Sequence, residues 1–103
     1  MNKTTIIGNL TRDPESQTTD SSNVCRFMVA VNRHGKGGGA DYFRVSAWGG
    51  LGESCQQYLA KGRKVCVVGR ISASAFTGQD GSPRASLDLL AEDVEFLSPN
   101  KPQ

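Results

Sequence analysis

Residues 41–48 read DYFRVSAW, and their alternation of apolar and polar side chains decides the fold class. Phe43, Val45 and Ala47 share one face of an extended chain, because successive side chains of a β-strand point to opposite sides. The opposite face carries Tyr42, Arg44, Ser46 and Trp48. The stretch therefore predicts a strand with one buried face and one exposed face.

Four further stretches predict strands, and one predicts a helix. The strands are expected at Thr4–Leu10, Val24–Asn32, Lys64–Ala75 and Arg84–Phe96. Apolar residues at helical spacing between residues 51 and 59 predict a short amphipathic helix. Gly69 and a change of parity near Glu92-Asp93 predict bulges in the last two strands. The order predicts an all-β fold, a five-stranded OB-fold Greek-key barrel with one short helix between its third and fourth strands.

The length of 103 residues suits a single domain. We expect a folded domain over residues 1–97 and a disordered tail over residues 98–103. No apolar run approaches the ~20 residues that cross a bilayer, and the N-terminus has no run of signal-peptide length. The three cysteines are odd in number and widely spaced, which fits free thiols rather than a disulfide framework or a zinc site. We therefore expect a soluble cytoplasmic protein.

The sequence shows no group of residues that is typical of an active site. The chain has one histidine, His34, and neither a nucleophile elbow nor a phosphate-binding glycine loop. We therefore expect no enzyme activity, no catalytic residue, no cofactor and no metal site.

The exposed face of residues 41–48 indicates a nucleic-acid interface instead. Tyr42 and Trp48 flank Arg44, and exposed rings beside guanidinium groups form a stacking platform for nucleobases. Residues 1–70 hold 10 Lys/Arg against 5 Asp/Glu, whereas residues 71–103 hold 2 against 5. The neighbouring elements add further candidates: Arg26, Arg33, Lys36, Phe76 and Arg84. Two alternatives are open, since Trp48 could plug one end of the barrel and Tyr42 could pack in a subunit interface.

Several stretches together resemble the bacterial single-stranded DNA-binding protein family. They are residues 2–15 with IGNLTRDPE, residues 27–33 (FMVAVNR), residues 41–49 (DYFRVSAWG), residues 58–62 (YLAKG), residues 65–71 (VCVVGRI) and the hairpin from Phe76 through Gly81. Their combined order covers nearly all of residues 2–97, and it is far more specific than any single stretch.

The resemblance implies an OB-fold that assembles as a homotetramer and binds single-stranded DNA with little sequence preference in replication, recombination and repair. It places base-stacking rings at Tyr42, Trp48 and Phe76, and phosphate contacts at Lys3, Arg44 and Lys61. One aromatic of the better-known members is matched by Gly35, and Ser72, Ser74 and Ala75 replace the usual basic residues. Arg63, Lys64 and Arg70 are expected to compensate. The long tail with an acidic tip that recruits repair proteins in the family is not matched before Gln103.

Two other functions stay open at this point. One is a short OB-fold accessory protein of a replication-restart primosome, which would be a dimer. The other is a protein-interaction barrel whose Tyr42 and Trp48 contact a partner chain.

Overall fold

The computed structural model describes residues 1–19, 21–35 and 37–98. Its elements in chain order are β1 (Thr4–Leu10), β2 (Glu15–Thr19), β3 (Ser22–Asn32), β4 (Ala40–Trp48), α1 (Gly49–Tyr58), β5 (Lys64–Thr77) and β6 (Pro83–Phe96). Lys36 and the predicted disordered tail beyond Ser98 lie outside the described residues. Within those ranges, no helix has the length and apolar character needed to span a membrane.

The strands form one sheet that closes on itself. Their order is β1-β5-β6-β4-β3-β2, with an additional pairing between β1 and β3. β1 pairs with β5 along Thr4–Asn9, and its end pairs with β3 at Asn9↔Ala30 and Leu10↔Val29. All pairs are antiparallel except β4 with β6. The predicted all-β barrel with one short helix is confirmed, and the helix lies between β4 and β5.

The structure adds one strand, β2, to the five that the sequence predicts. All five residues of β2 are exposed, and the strand pairs only with β3. Its sequence ESQTT has no apolar residue, so it lacks the alternation that predicts a half-buried strand. β2 forms because β3 offers it an edge to pair with, which is a property of the tertiary structure.

The core lies between the inner faces of the strands. Its fully buried side chains include Val29, Val45, Val65, Val67 and Leu89. α1 packs against this core through Cys55, which is also fully buried. Gly52 allows the close approach, because a Cβ there would overlap the carbonyl oxygen of Ala47 at the end of β4.

A β-bulge divides the β5–β6 ladder and confirms the predicted irregularity. Val68 pairs with Asp93 and Gly69 pairs with Ala91, so Glu92 is the extra residue. Gly69 is required there, because a Cβ would overlap the carbonyl oxygen of Leu90. The bulge changes which parity of β6 points outward, so that Asp88 and Leu90 precede it on the outside and Asp93 and Glu95 follow it there.

Candidate nucleic-acid interface

The strand register places most candidate residues on one side of the sheet. Val45 pairs with Phe27 and Leu89, and all three are buried, so the alternate residues of β3, β4 and β6 point outward. The outward pairs form two rows across the strands: Arg26, Ser46, Leu90 and Arg70, and Met28, Arg44, Asp88 and Ser72. We use the name outer face for the outward side of β2, β3 and β4 together with residues 69–77 of β5 and residues 83–91 of β6, which lie on the same side of the bulge.

The three candidate aromatic side chains are all exposed. Tyr42 is 55% exposed, Trp48 45% and Phe76 50%. Trp48 therefore does not plug the barrel. Tyr42 and Trp48 are six residues apart on β4, which separates their Cα atoms by roughly 20 Å. Phe76 pairs with Arg84 next to the turn of the β5–β6 hairpin, as its sequence position predicts.

Four of the candidate cations form ion pairs with carboxylates of the same chain. The nitrogen–oxygen distances are 3.6 Å for Lys3–Glu92, 2.7 Å for Arg33–Asp41, 3.5 Å for Arg44–Asp88 and 3.6 Å for Arg84–Asp80. All eight side chains are at least 40% exposed. Exposed pairs of this kind typically contribute only ~0–1 kcal/mol. A phosphate can therefore displace these carboxylates at little cost.

Two of these pairs are reinforced by hydrogen bonds. Arg33 Nε donates to Asp41 Oδ1 at 2.9 Å, and this bond raises the pKa of the guanidinium above its usual value. Asp80 accepts hydrogen bonds from the hydroxyl and the backbone N–H of Ser82, which lower the pKa of its carboxyl. The Arg33 guanidinium and the Asp80 carboxylate are therefore charged at neutral pH.

The remaining candidate cations lie in two places. Arg26 and Arg70 are on the outer face, where Arg26 Nη1 donates to Gln17 Oε1 at 2.9 Å. Lys61, Arg63 and Lys64 lie off the outer face, at the connection from α1 and the start of β5. The structure does not bring this second group together with the aromatic side chains on the strands.

Sequence reasoning missed Arg12, which follows β1. Arg12 lines an open pocket of about 290 Å³ together with Arg26 and Arg44. Arg26 and Arg44 come together through the direct pairing of β3 with β4, but Arg12 joins them only because the end of β1 pairs with β3 when the barrel closes. The pocket lies on the outer face at positions of β4 between Tyr42 and Trp48.

The outward surface on the other side of the bulge is acidic, in contrast to the arginines of the outer face. There Asp93 pairs with Val68 and Glu95 pairs with Cys66, which in turn pairs with Ile7. Both carboxylates are exposed, and Ile7 is 50% exposed. A polyanion is repelled from this acidic side and attracted to the outer face.

The buried thiols lie inside the barrel, away from the outer face. Burial raises the pKa of Cys25, and it raises the pKa of Cys55 from 9.0 to about 12. Both thiols are therefore protonated at neutral pH and poorly nucleophilic. Among residues 1–19, 21–35 and 37–98, no three His, Cys, Asp or Glu side chains form a group that could hold a metal ion.

Comparisons with known proteins match the chain over nearly its whole length. Residues 1–97 match the model of the Single-strand binding protein family. The chain is 40% identical over 99 residues to a Single-stranded DNA-binding protein of Clostridium perfringens, covering 94% of this chain and 66% of that protein. It is 38% identical over 102 residues to Single-stranded DNA-binding protein 2 of Clostridium acetobutylicum, covering 94% and 77%. Single-stranded DNA-binding protein 1 of the same organism is 33% identical over 107 residues, covering 98% and 97%.

Proposed function

The chain belongs to the single-strand binding protein family, and from that premise we propose that it binds and protects single-stranded DNA on the outer face. The observation that carries this proposal is the placement of half-exposed aromatic rings and guanidinium groups on the same side of one sheet. Tyr42, Arg44 and Trp48 follow one another along β4, and Arg26 lies beside them on β3.

Two physical terms supply the affinity. Each base stacked on an aromatic ring contributes about 1–3 kcal/mol, and it does so for any base, because every base has a π-face. Each phosphate that a Lys or Arg neutralises releases counterions, so the logarithm of the binding constant falls with the logarithm of salt by about 0.7 per contact. Both terms are nearly independent of sequence, which suits a protein that protects any unpaired strand.

Stacking is assigned to Tyr42, Trp48 and Phe76. Phosphate contacts are assigned to Lys3, Arg26, Arg33, Lys36, Arg44, Lys61, Arg63, Lys64, Arg70 and Arg84. The outer-face residues hold the bases, and the lysines beyond it extend the path of the backbone around the barrel. The protein acts by binding alone, without turnover of the strand.

The assembly that we propose is a homotetramer that works in replication, recombination and repair at the nucleoid of the cytoplasm. Exposed apolar side chains off the outer face support self-association. Ile7 is 50% exposed on β1, and Tyr58 and Phe96 are 50% and 39% exposed with ring centroids 5.7 Å apart. Subunits that cover these side chains leave the outer face open to DNA.

Trp48 is the only tryptophan, which provides a direct test. We expect oligo-dT to quench its fluorescence, with weaker binding at high salt, and we expect a tetramer mass in parallel light-scattering measurements. No binding at low salt would overturn the proposal and favour a protein-interaction barrel. A stable dimer would overturn the tetramer and favour the restart-accessory function.

A further inference from the structure

Leu90 on β6 is an exposed aliphatic side chain of the outer face that has no role so far. In the described part of the chain, four large apolar side chains are exposed on the outer face: Tyr42, Trp48, Phe76 and Leu90. The first three are the rings assigned to bases. Leu90 is 42% exposed, which is close to the 45% of Trp48, whereas its neighbour in the chain, Leu89, is buried in the core.

The surroundings of Leu90 are polar, so it does not belong to an apolar strand face. Arg84, Ser86 and Asp88 precede it on the same side of β6. A single exposed leucine is ordinary on a protein surface and needs no explanation by itself. What gives Leu90 a function is therefore the set of groups beside it.

Leu90 lies beside a stacking ring. It pairs with Ser46 of β4, and Trp48 is two residues further along that strand. One strand across and two residues along separate the Cα atoms of Trp48 and Leu90 by roughly 8 Å. The side chain opposite Leu90 on β4 is only the small hydroxyl of Ser46, which leaves space above the sheet next to the indole.

Leu90 also lies beside a cation. It pairs directly with Arg70 of β5, which is exposed. Within residues 1–19, 21–35 and 37–98, the Arg70 guanidinium makes neither a hydrogen bond nor an ion pair. A protein that covered Leu90 would remove water from this cation without supplying a counter-charge. A nucleotide covers the leucine with its base and brings a phosphate for the guanidinium, so the charge favours the bound strand as the occupant.

Building on the proposed function, we infer that Leu90 is a fourth base contact of the outer face, on which a base packs next to the one stacked on Trp48. The contact removes apolar surface from water and uses no hydrogen bond to a base edge, so it accepts any base. Arg70 keeps the phosphate contact assigned to it and holds the backbone of the same stretch of strand.

The variant Leu90→Ala tests this contact through the fluorescence anisotropy of labelled oligo-dT, which does not depend on the emission of the neighbouring Trp48. Full burial of a leucine side chain changes an equilibrium constant by roughly 10- to 150-fold. Covering the 42% that is exposed scales this to about three- to eightfold, and we expect a loss of affinity of that size. Leu97→Ala is the matched control, because Leu97 is 44% exposed and lies off the outer face. It should keep the wild-type affinity when compared at the wild-type oligomer mass.

Three further measurements separate a base contact from other causes. The loss in Leu90→Ala should be similar on oligo-dT and oligo-dC, and Leu90→Ile should restore the affinity. The slope of the logarithm of the binding constant against the logarithm of salt should stay at its wild-type value in Leu90→Ala, because an apolar contact releases no counterions. Arg70→Gln should instead reduce the magnitude of that slope by about 0.7.

The outcomes distinguish this inference from the proposed function. Wild-type affinity in Leu90→Ala, a loss confined to one base, a changed salt slope, a loss of oligomer mass or no recovery in Leu90→Ile would each overturn the contact at Leu90. All of these leave binding by the wild-type protein intact. Absence of any wild-type binding at low salt refutes the proposed function itself.

Discussion

We expect Asp88 to limit the affinity for DNA, so that its substitution by asparagine strengthens binding. Asp88 on β6 pairs with Arg44 on the neighbouring strand β4, and its carboxylate lies 3.5 Å from Nε of the guanidinium that we assign to a phosphate. A phosphate on Arg44 would lie roughly 6 Å from Asp88. Two unit charges at that distance repel by about 0.7 kcal/mol at the dielectric constant of water and by about 2.8 kcal/mol at an effective constant of 20. We therefore expect Asp88→Asn to bind oligo-dT at least about threefold more tightly at low salt.

The assay is titration of Trp48 fluorescence with oligo-dT over a range of salt concentrations. The gain should shrink as salt rises, because the Debye length falls to ~10 Å at 0.1 M and to ~3 Å at 1 M. Glu53→Gln removes the same charge from α1 and should change the affinity much less. The unfolding free energy should change by no more than about 1 kcal/mol, since the Arg44–Asp88 pair is exposed. Unchanged or weaker binding by Asp88→Asn at low salt would refute the contact between Arg44 and phosphate.

Three further outcomes test the site and the fold. Tyr42→Ala and Phe76→Ala should each weaken oligo-dT binding by about 1–3 kcal/mol in the same titration. Tyr58→Ala removes a ring that is equally exposed on the single subunit but lies off the outer face, and it should not weaken binding when compared at the wild-type oligomer mass. Equal losses in all three variants would contradict the site. Gly69→Ala should lower the melting temperature followed by circular dichroism, because the added Cβ overlaps the Leu90 carbonyl; an unchanged melting temperature would mean that the bulge tolerates a side chain. The pKa of Cys55 is raised from 9.0 to about 12, so the unfolded chain loses this proton first. Urea unfolding should therefore show a free energy that is constant below pH ~9 and falls from there to pH ~12, and Cys55→Ala should reduce that slope.

The sequence predicts the faces of the central strands because burial repeats every second residue. Val45 and Ala47 are buried while Tyr42 and Trp48 are exposed, as their alternation indicates. It also predicts the bulge, since a bulge must change the parity of the residues that follow it. The same reasoning cannot predict β2, because all of its residues are exposed and its sequence therefore shows no alternation of apolar and polar residues. The carboxylate partners of the cations are equally hidden, since Lys3–Glu92 and Arg44–Asp88 join residues distant in the chain.

Charge separates the two kinds of exposed apolar side chain on this barrel. Tyr42 and Phe76 lie on a face with arginines. If a flat protein surface covered this face, the guanidinium groups would lose their water without gaining a counter-charge, which is costly. Ile7 lies in the same row as exposed Glu95, with Cys66 of β5 between them, on the acidic side where a polyanion is repelled. The first kind therefore suits a ligand that brings phosphates with its bases, and the second suits another subunit. Loss of DNA binding in a Tyr42 variant that keeps its native mass, and loss of mass in an Ile7→Lys variant, would show that the two surfaces act separately.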